Sequence, residues 1–230
     1  MKIGFHGLDL PEGKTKHLDP RFIALDRKWE PKKSSPFVAE FIRDEFSQCD
    51  AIVIATATVL DLLILDMDKL EGRKERTTDP AELDLAARCL ALLEAETPLC
   101  DGAFSDAERA QLRSLALLSV KPVVVAPQAL GPTEAIAAVL AKARLMFFFT
   151  AGKTEVHAWL VPVDSDIVTC AGKIHTDMAR GFIRADVVAY GDYMGVHGLQ
   201  EARDKGLAKV VERGYVVQDA DVIEIRFSVS

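Results

Sequence analysis

The segment Gly7–Thr15 reads G-L-D-L-P-E-G-K-T, and its last three residues are of the types that grip phosphate in nucleotide-binding loops. Such a loop is spaced G-x-x-x-x-G-K-[S/T]. That spacing turns successive backbone N–H groups inward, lets the lysine reach the outer phosphates and sets the hydroxyl on Mg²⁺. Here five residues separate Gly7 from Gly13, one more than the spacing allows, and Leu8 stands where the first glycine belongs. Gly13, Lys14 and Thr15 are the candidate contacts for ATP or GTP with Mg²⁺; the plain alternative is a solvated loop that holds a lysine. Lys14-Thr15 runs at once into His17-Leu18-Asp19-Pro20-Arg21. That leaves no room for a full helix whose N-terminus would face a phosphate.

Other chemistry-bearing residues are scattered. His175 and Asp177 in I-H-T-D sit two apart, but no third metal ligand accompanies them. Thr176 or Asp177 is the expected N-cap of a short helix at Met178–Gly181. His157 alternates with Trp159 on a strand and is expected to be a half-buried surface residue, while His6, His17 and His197 are expected in loops without partners. Asp61, Asp66 and Asp68 read as a solvated acidic helix face. Lys153, Lys173, Arg180 and Arg184 are candidates for a modest basic face toward RNA phosphates or an acidic protein surface; ordinary surface charge is the other reading. No G-x-S-x-G elbow and no local Cys–His signature is present, so no catalytic residue and no metal ligand is assigned.

Composition narrows the classes. With 49% apolar and 27% charged residues the chain is globular rather than disordered. The 28 Lys and Arg against 35 Asp and Glu give a net charge of −7, which disfavours non-specific binding to phosphate backbones and so DNA. No apolar run reaches the roughly 18 residues of a membrane span. Met1-Lys2 leads straight into a strand-like I-G-F, so no signal peptide and a cytoplasmic location are expected. Cys49, Cys89, Cys100 and Cys170 form no C-x-x-C pair and are expected to be buried free thiols.

The elements follow from periodicity and caps. Lys2–Phe5, Ala51–Ala55 and Lys121–Ala126 are strand-like, the last two as continuous apolar runs expected to be covered on both faces. Phe37–Arg43 is ambiguous. Asp19-Pro20-Arg21 opens a helix carrying Phe22, Leu25 and Trp29, which the polar Glu30–Pro36 ends. A helical hairpin is expected over about 58–96, with Asp79-Pro80 opening its second arm and short polar G-R-K-E-R-T-T joining the antiparallel arms. Ser105-Asp-Ala-Glu108 is a capping box, and Thr133–Arg144 a further helix. Beyond it Glu155–Val161, Ile183–Tyr190 and Val222–Val229 read as strands, and Asp166–Ala171 and Leu199–Val211 as helices. The expected fold class is therefore α/β over residues 1–144, followed over 145–230 by an α+β unit, a small mixed sheet with helices on one face.

The runs F-F-T-A-G-x-x-E-V-x-A-W (Phe148–Trp159), A-G-x-I-H-T-D (Ala171–Asp177), G-F-I-R-A-x-V (Gly181–Val187) and Y-V-V-Q-D-A-D-V-I (Tyr215–Ile223) resemble, in this order, the TGS domain of the YchF type of Obg-like ATPase. Ala220 stands where that family usually carries glycine. The resemblance implies a ubiquitin-like β-grasp module over 145–230, following a P-loop NTPase-like domain that is truncated and degenerate. The family's metal box D-x-x-G has no counterpart beyond Asp44, and its base-reading N-x-x-E is replaced by Ala126-Pro127-Gln128-Ala129. The implied partner is a ribosome, RNA or a translation-linked protein. The expected function is thus a binding module that has lost NTP hydrolysis and needs no cofactor. The alternative is a minimal P-loop ATP- or GTP-binding protein with weak NTPase activity.

Overall fold

A computed structural model describes residues 1–228. In chain order, β1 (Lys2–His6) and β2 (Gly13–His17) precede α1 (Pro20–Trp29), then β3 (Lys33–Ser35), β4 (Phe37–Arg43), β5 (Ala51–Ala55), α2 (Val59–Lys74), α3 (Pro80–Glu94), α4 (Asp106–Ser114), β6 (Val123–Ala126) and α5 (Pro132–Lys142). There follow β7 (Leu145–Ala151), β8 (Glu155–Pro162), α6 (Ile167–Ile174), α7 (Thr176–Arg180), β9 (Phe182–Val188), α8 (Tyr190–Met194), α9 (Leu199–Asp204), β10 (Lys209–Val211) and β11 (Val222–Phe227). The chain divides into two units. One comprises Met1–Thr15 with Ala39–Ala143, the other Lys16–Val38 with the described part of Arg144–Ser230.

In the first unit a sheet runs β2-β4-β1-β5-β6, and the pairs β1–β4, β1–β5 and β5–β6 are parallel. Every residue of β5 is buried, as its continuous apolar run requires. Ile52 and Ile54 join Leu62, Leu63 and Leu70 of α2 and Cys89, Leu90 and Leu93 of α3 in one apolar cluster. The helices start where their caps dictate: Asp79 accepts from the Ala81 amide, and Ser105 and Glu108 form a reciprocal capping box. The expectation that β6 is covered on both faces does not hold. It is the terminal strand of its sheet, and Val125 is 39% exposed.

The acidic helix face also needs correction. Asp66 is fully buried, and its carboxylate accepts from the amides of Leu118 and Ser119, each at 2.7 Å, and from the Ser119 hydroxyl at 2.6 Å. It ties the first arm of the hairpin to the turn before β6, whereas Asp61 and Asp68 remain exposed.

The second unit holds a sheet ordered β10-β9-β11-β7-β8-β3. β7 and β8 form an antiparallel hairpin, β11 pairs parallel with β7 and antiparallel with β9, and β3 adds in parallel to the edge of β8. Helices cover both faces rather than the single face expected. Phe148 points into a cluster with Ile167, Cys170 and Ala171 of α6. Its neighbours on β7 point the other way, where Phe147 meets His17 and Phe37, and the Arg21 guanidinium of α1 lies over Phe149. The sheet alternates apolar on both sides, so both sides need a cover.

Other expectations are revised locally. Leu199–Val211 is not one helix: α9 stops at Asp204, Gly206 takes a left-handed φ of 69°, and Lys209–Val211 pairs with β9. The polar Glu30–Pro36 contains β3, and Phe37–Arg43 is a strand with Ala39 and Phe41 buried. Val229 lies outside the described residues.

Ala220 occupies the third position of a turn closed by the Asp221 amide on the Gln218 carbonyl, with φ of 69° and almost no exposure. A Cβ there is costly, and turns of this hand favour glycine. Ala220→Gly is expected to raise stability by about 1 kcal/mol, read as a higher urea midpoint. Asp66→Ala is expected to lower it by about 3 kcal/mol, because two buried amides lose their acceptor. Asp66→Asn, which keeps one acceptor, loses less.

Candidate functional site

Two places in the protein gather side chains capable of chemistry. The first is the head of the sheet in the N-terminal unit, at the carboxyl ends of its parallel strands, where open α/β sheets bind ligands. His6 ends β1, and Gly7 follows with φ of 72°; a Cβ on Gly7 would meet the Thr58 hydroxyl at 2.4 Å. His6 is not in a loop without partners. Its Nδ1 lies 2.6 Å from Asp44 and its Nε2 3.1 Å from Asp61, so one imidazole bridges the end of β4 and the first turn of α2. The hydrogen bond to Asp44, opposed by partial burial and aided by Asp61, raises the His6 pKa above its ordinary 6.5.

Gly13, Lys14 and Thr15 lie in β2, the edge strand of that sheet. Successive side chains of a strand point to opposite faces, so Lys14 and Thr15 do not aim at one point. The next helix, α1, starts only at Pro20. Its N-terminus is already capped by the Asp19 carboxylate, which accepts from the Arg21 amide at 2.7 Å. His17 is buried at the end of β2, stacked on Phe147, and burial lowers its pKa. Of the three histidines expected in loops, His197 alone is in one.

The second place is a cleft of 530 Å³ in the C-terminal unit, between β8 and the α6–α7 turn. Alternation along β8 puts Glu155, His157 and Trp159 on one face. Glu155 is held by Lys33 at 2.8 Å and by the Ser35 hydroxyl at 2.7 Å, and the Lys33 ammonium keeps its pKa low. The His157 Nδ1 lies 3.2 Å from Glu155, and its ring stacks on Trp159 with centroids 3.6 Å apart and planes 12° apart. Trp159 donates from Nε1 to the Thr150 hydroxyl at 3.0 Å. Burial lowers the His157 pKa, so the ring is neutral near pH 7. Across the cleft, Met178 and Phe227 supply apolar surface.

The I-H-T-D segment does form a helix start, but the cap is His175. Its Nδ1 accepts from the Asp177 amide at 3.1 Å, and α7 begins at Thr176. The imidazole is thereby turned to the cleft wall with Asp177 beside it. Asp177 also pairs with Arg180 at 2.9 Å.

The four basic candidates lie on different elements. Lys153 is exposed in the β7–β8 turn, Lys173 is exposed in the last turn of α6, and Arg180 is bound to Asp177. Arg184 lies opposite Arg226 in the register of β9 and β11. None of the four lines the cleft. Most of those that do belong to E-V-x-A-W and I-H-T-D, whose convergence needs the sheet, while Lys33, Met178 and Phe227 come from outside both runs. Burial pushes the thiols of Cys89 and Cys170 up to about 11 and about 12, so neither is a nucleophile at neutral pH. Among the described residues no cluster of three or more His, Cys, Asp or Glu is disposed to hold a metal ion, and no helix is long and apolar enough to cross a membrane.

Residues 145–228 match the family model YchF-GTPase_C, described as a protein of unknown function (DUF933). The ribosome-binding ATPase YchF of Haemophilus influenzae is 41% identical over 99 residues, which are 43% of this chain and 27% of that protein. The Bacillus subtilis protein of the same name is 46% identical over 85 residues, 37% of this chain and 23% of that one. The match to the Mycoplasma genitalium protein is 28% identical over 179 residues and takes in 78% of this chain and 46% of the relative. The chain thus spans from about a quarter to about half of the length of these relatives. Among solved structures, the Schizosaccharomyces pombe YchF GTPase superposes with a TM-score of 0.78 at 16% identity, covering 98% of this chain and 97% of that one, a likeness of fold.

The His6 bridge has a pH signature. Its pKa is raised on folding, so its stabilising effect is complete below 6.5 and is lost as pH rises through the higher folded value. The stability difference between wild type and His6→Ala is expected to be at most about 1 kcal/mol, the pair being largely exposed. It should shrink toward zero on the alkaline side. A His6 resonance titrating at or below 6.5 would contradict the bridge.

Proposed function

This chain is a YchF-type protein, and on that premise we propose that it is a ribosome-associated binding module that does not hydrolyse nucleotide. In this reading its C-terminal unit is a β-grasp domain of the TGS kind and makes the contact. The observation that carries the reading is the cleft beside β8. The segments that bear the family resemblance, E-V-x-A-W and I-H-T-D, converge there from separate elements and leave a lined, accessible cavity. The relatives' name, ribosome-binding ATPase, supplies the class of partner. The β-grasp reading is supported by the parallel contact of β7 with β11 inside the sheet and by α6 crossing behind the β7–β8 hairpin.

Loss of hydrolysis is supported by the head of the N-terminal sheet, whose residues do not fit a triphosphate with magnesium. Phosphoryl transfer depends on converging amides, a lysine and a metal held by a carboxylate. The amides of Gly13–Thr15 run along a strand, and the carboxylates of Asp44 and Asp61 are engaged by one imidazole. The helix terminus that follows β2 is closed by an acid, Asp19.

Two measurements test this. The chain is expected to co-sediment with ribosomes, and absence of any association in low-salt buffer would end the proposal. In calorimetric titration, Mg-ATP and Mg-GTP are expected to give no binding at micromolar concentrations. Micromolar binding abolished by Lys14→Ala would favour a minimal nucleotide-binding protein instead.

A further inference from the structure

We propose that the cleft beside β8 receives one unpaired base of a single-stranded RNA, stacked on the outer face of the His157 imidazole with Trp159 behind it. The inference deepens the ribosomal reading above and rests on it for the choice of RNA; the stacking site itself rests on geometry.

An imidazole lying flat on an indole at 3.6 Å is an extended aromatic platform, and here it is fixed before any ligand arrives. Glu155 holds the His157 Nδ1, Thr150 holds the Trp159 Nε1, and Lys33 and Ser35 in turn hold Glu155. Fixing the rings beforehand removes an ordering cost that binding would otherwise incur. Both rings line a cavity of 530 Å³, large enough for a base with its ribose. Burial keeps the imidazole uncharged near neutral pH, which suits stacking on a flat neutral ring.

The groups around the platform suit the edge of a base. Glu155 and Asp177 offer carboxylate oxygens to exocyclic amino groups, and the Nε2–H of His175, whose Nδ1 already accepts from the Asp177 amide, offers a donor to a ring nitrogen. Unpaired RNA is read in this way, by aromatic stacking and edge hydrogen bonds. The chain's net charge of −7 argues against a long phosphate track. A contact made through one base needs few ion pairs, so its salt dependence should be shallow.

The test uses the full chain labelled with ¹⁵N. A short oligoadenylate is expected to shift the Trp159 indole and His157 ring resonances, while a duplex RNA of equal length leaves them in place. His157→Ala should weaken binding roughly tenfold, the usual scale for losing one stacked base. His157→Phe, which preserves the flat face, should retain it. Oligoadenylate that leaves both resonances unmoved, or that binds His157→Ala as tightly as wild type, overturns the inference. So does an aromatic peptide that moves the two resonances when RNA does not. Ribosome co-sedimentation without oligoadenylate binding would remove base stacking alone. Oligoadenylate binding in a chain that does not co-sediment would remove the ribosomal reading and leave the stacking site.

Discussion

The C-terminal unit depends on covering both faces of one mixed sheet. Along β7 the residues Phe147, Phe148 and Phe149 are all buried, and alternation sends the middle ring to one side and the outer two to the other. The helices α6 and α7 cover Phe148. The opposite side is covered by a segment from the other end of the chain: α1, whose Arg21 lies over Phe149, together with His17 and Phe37 against Phe147. Lys28 of α1 donates to the carbonyls of Tyr193 and Met194 at 2.8 and 3.0 Å and also to Val196, closing the end of α8. Residues 16–38 are therefore structural parts of this unit, and β3 among them carries the Lys33 that holds Glu155 in the cleft. Without that segment the cleft loses a wall as well as its support.

What could be read from the sequence was mostly local. Asp19-Pro20, Asp79-Pro80 and Ser105–Glu108 announced helix starts because a cap acts within a few residues of itself. The buried β5 was legible as an unbroken apolar run. Asp66 was misread because its partners, Leu118 and Ser119, lie 52 and 53 residues away, and by local pattern it is one more acid on a helix. The partners of His6 are 38 and 55 residues distant, with the same result. The three-residue strand β3 was hidden inside a polar run, since an edge strand needs hydrogen-bonding partners more than apolar side chains. The cleft was half visible: the alternation of Glu155, His157 and Trp159 was present in the sequence, but the approach of His175 and Phe227 required the sheet.

The distribution of positive charge suits the proposed aromatic contact better than a phosphate one. Many cations are committed inside the protein. Arg203 and Arg226 both serve the buried Asp186, Arg21 is shared by Asp19 and Asp219, and Lys121 donates to the carbonyls of Phe46, Ser47 and Cys49. Each of these stabilises a fold contact and is unavailable as a ligand for backbone phosphate. Lys153, Lys173 and Arg184 remain exposed, each on a different element: the β7–β8 turn, α6 and β9.

The head of the N-terminal sheet shows the same economy in reverse. Two carboxylates, Asp44 and Asp61, converge where parallel strands end, and charges of one sign at close range need a counter-charge. Asp44 also sits at a positive φ of 55°, a conformation that costs a residue with a Cβ and persists only when its surroundings hold it. The His6 imidazole supplies both the positive charge and the restraint, with one nitrogen for each acid. A protonated side chain anchored on β1 thus does within the fold what a bound cation would do from solution, and it does so only while it carries its second proton.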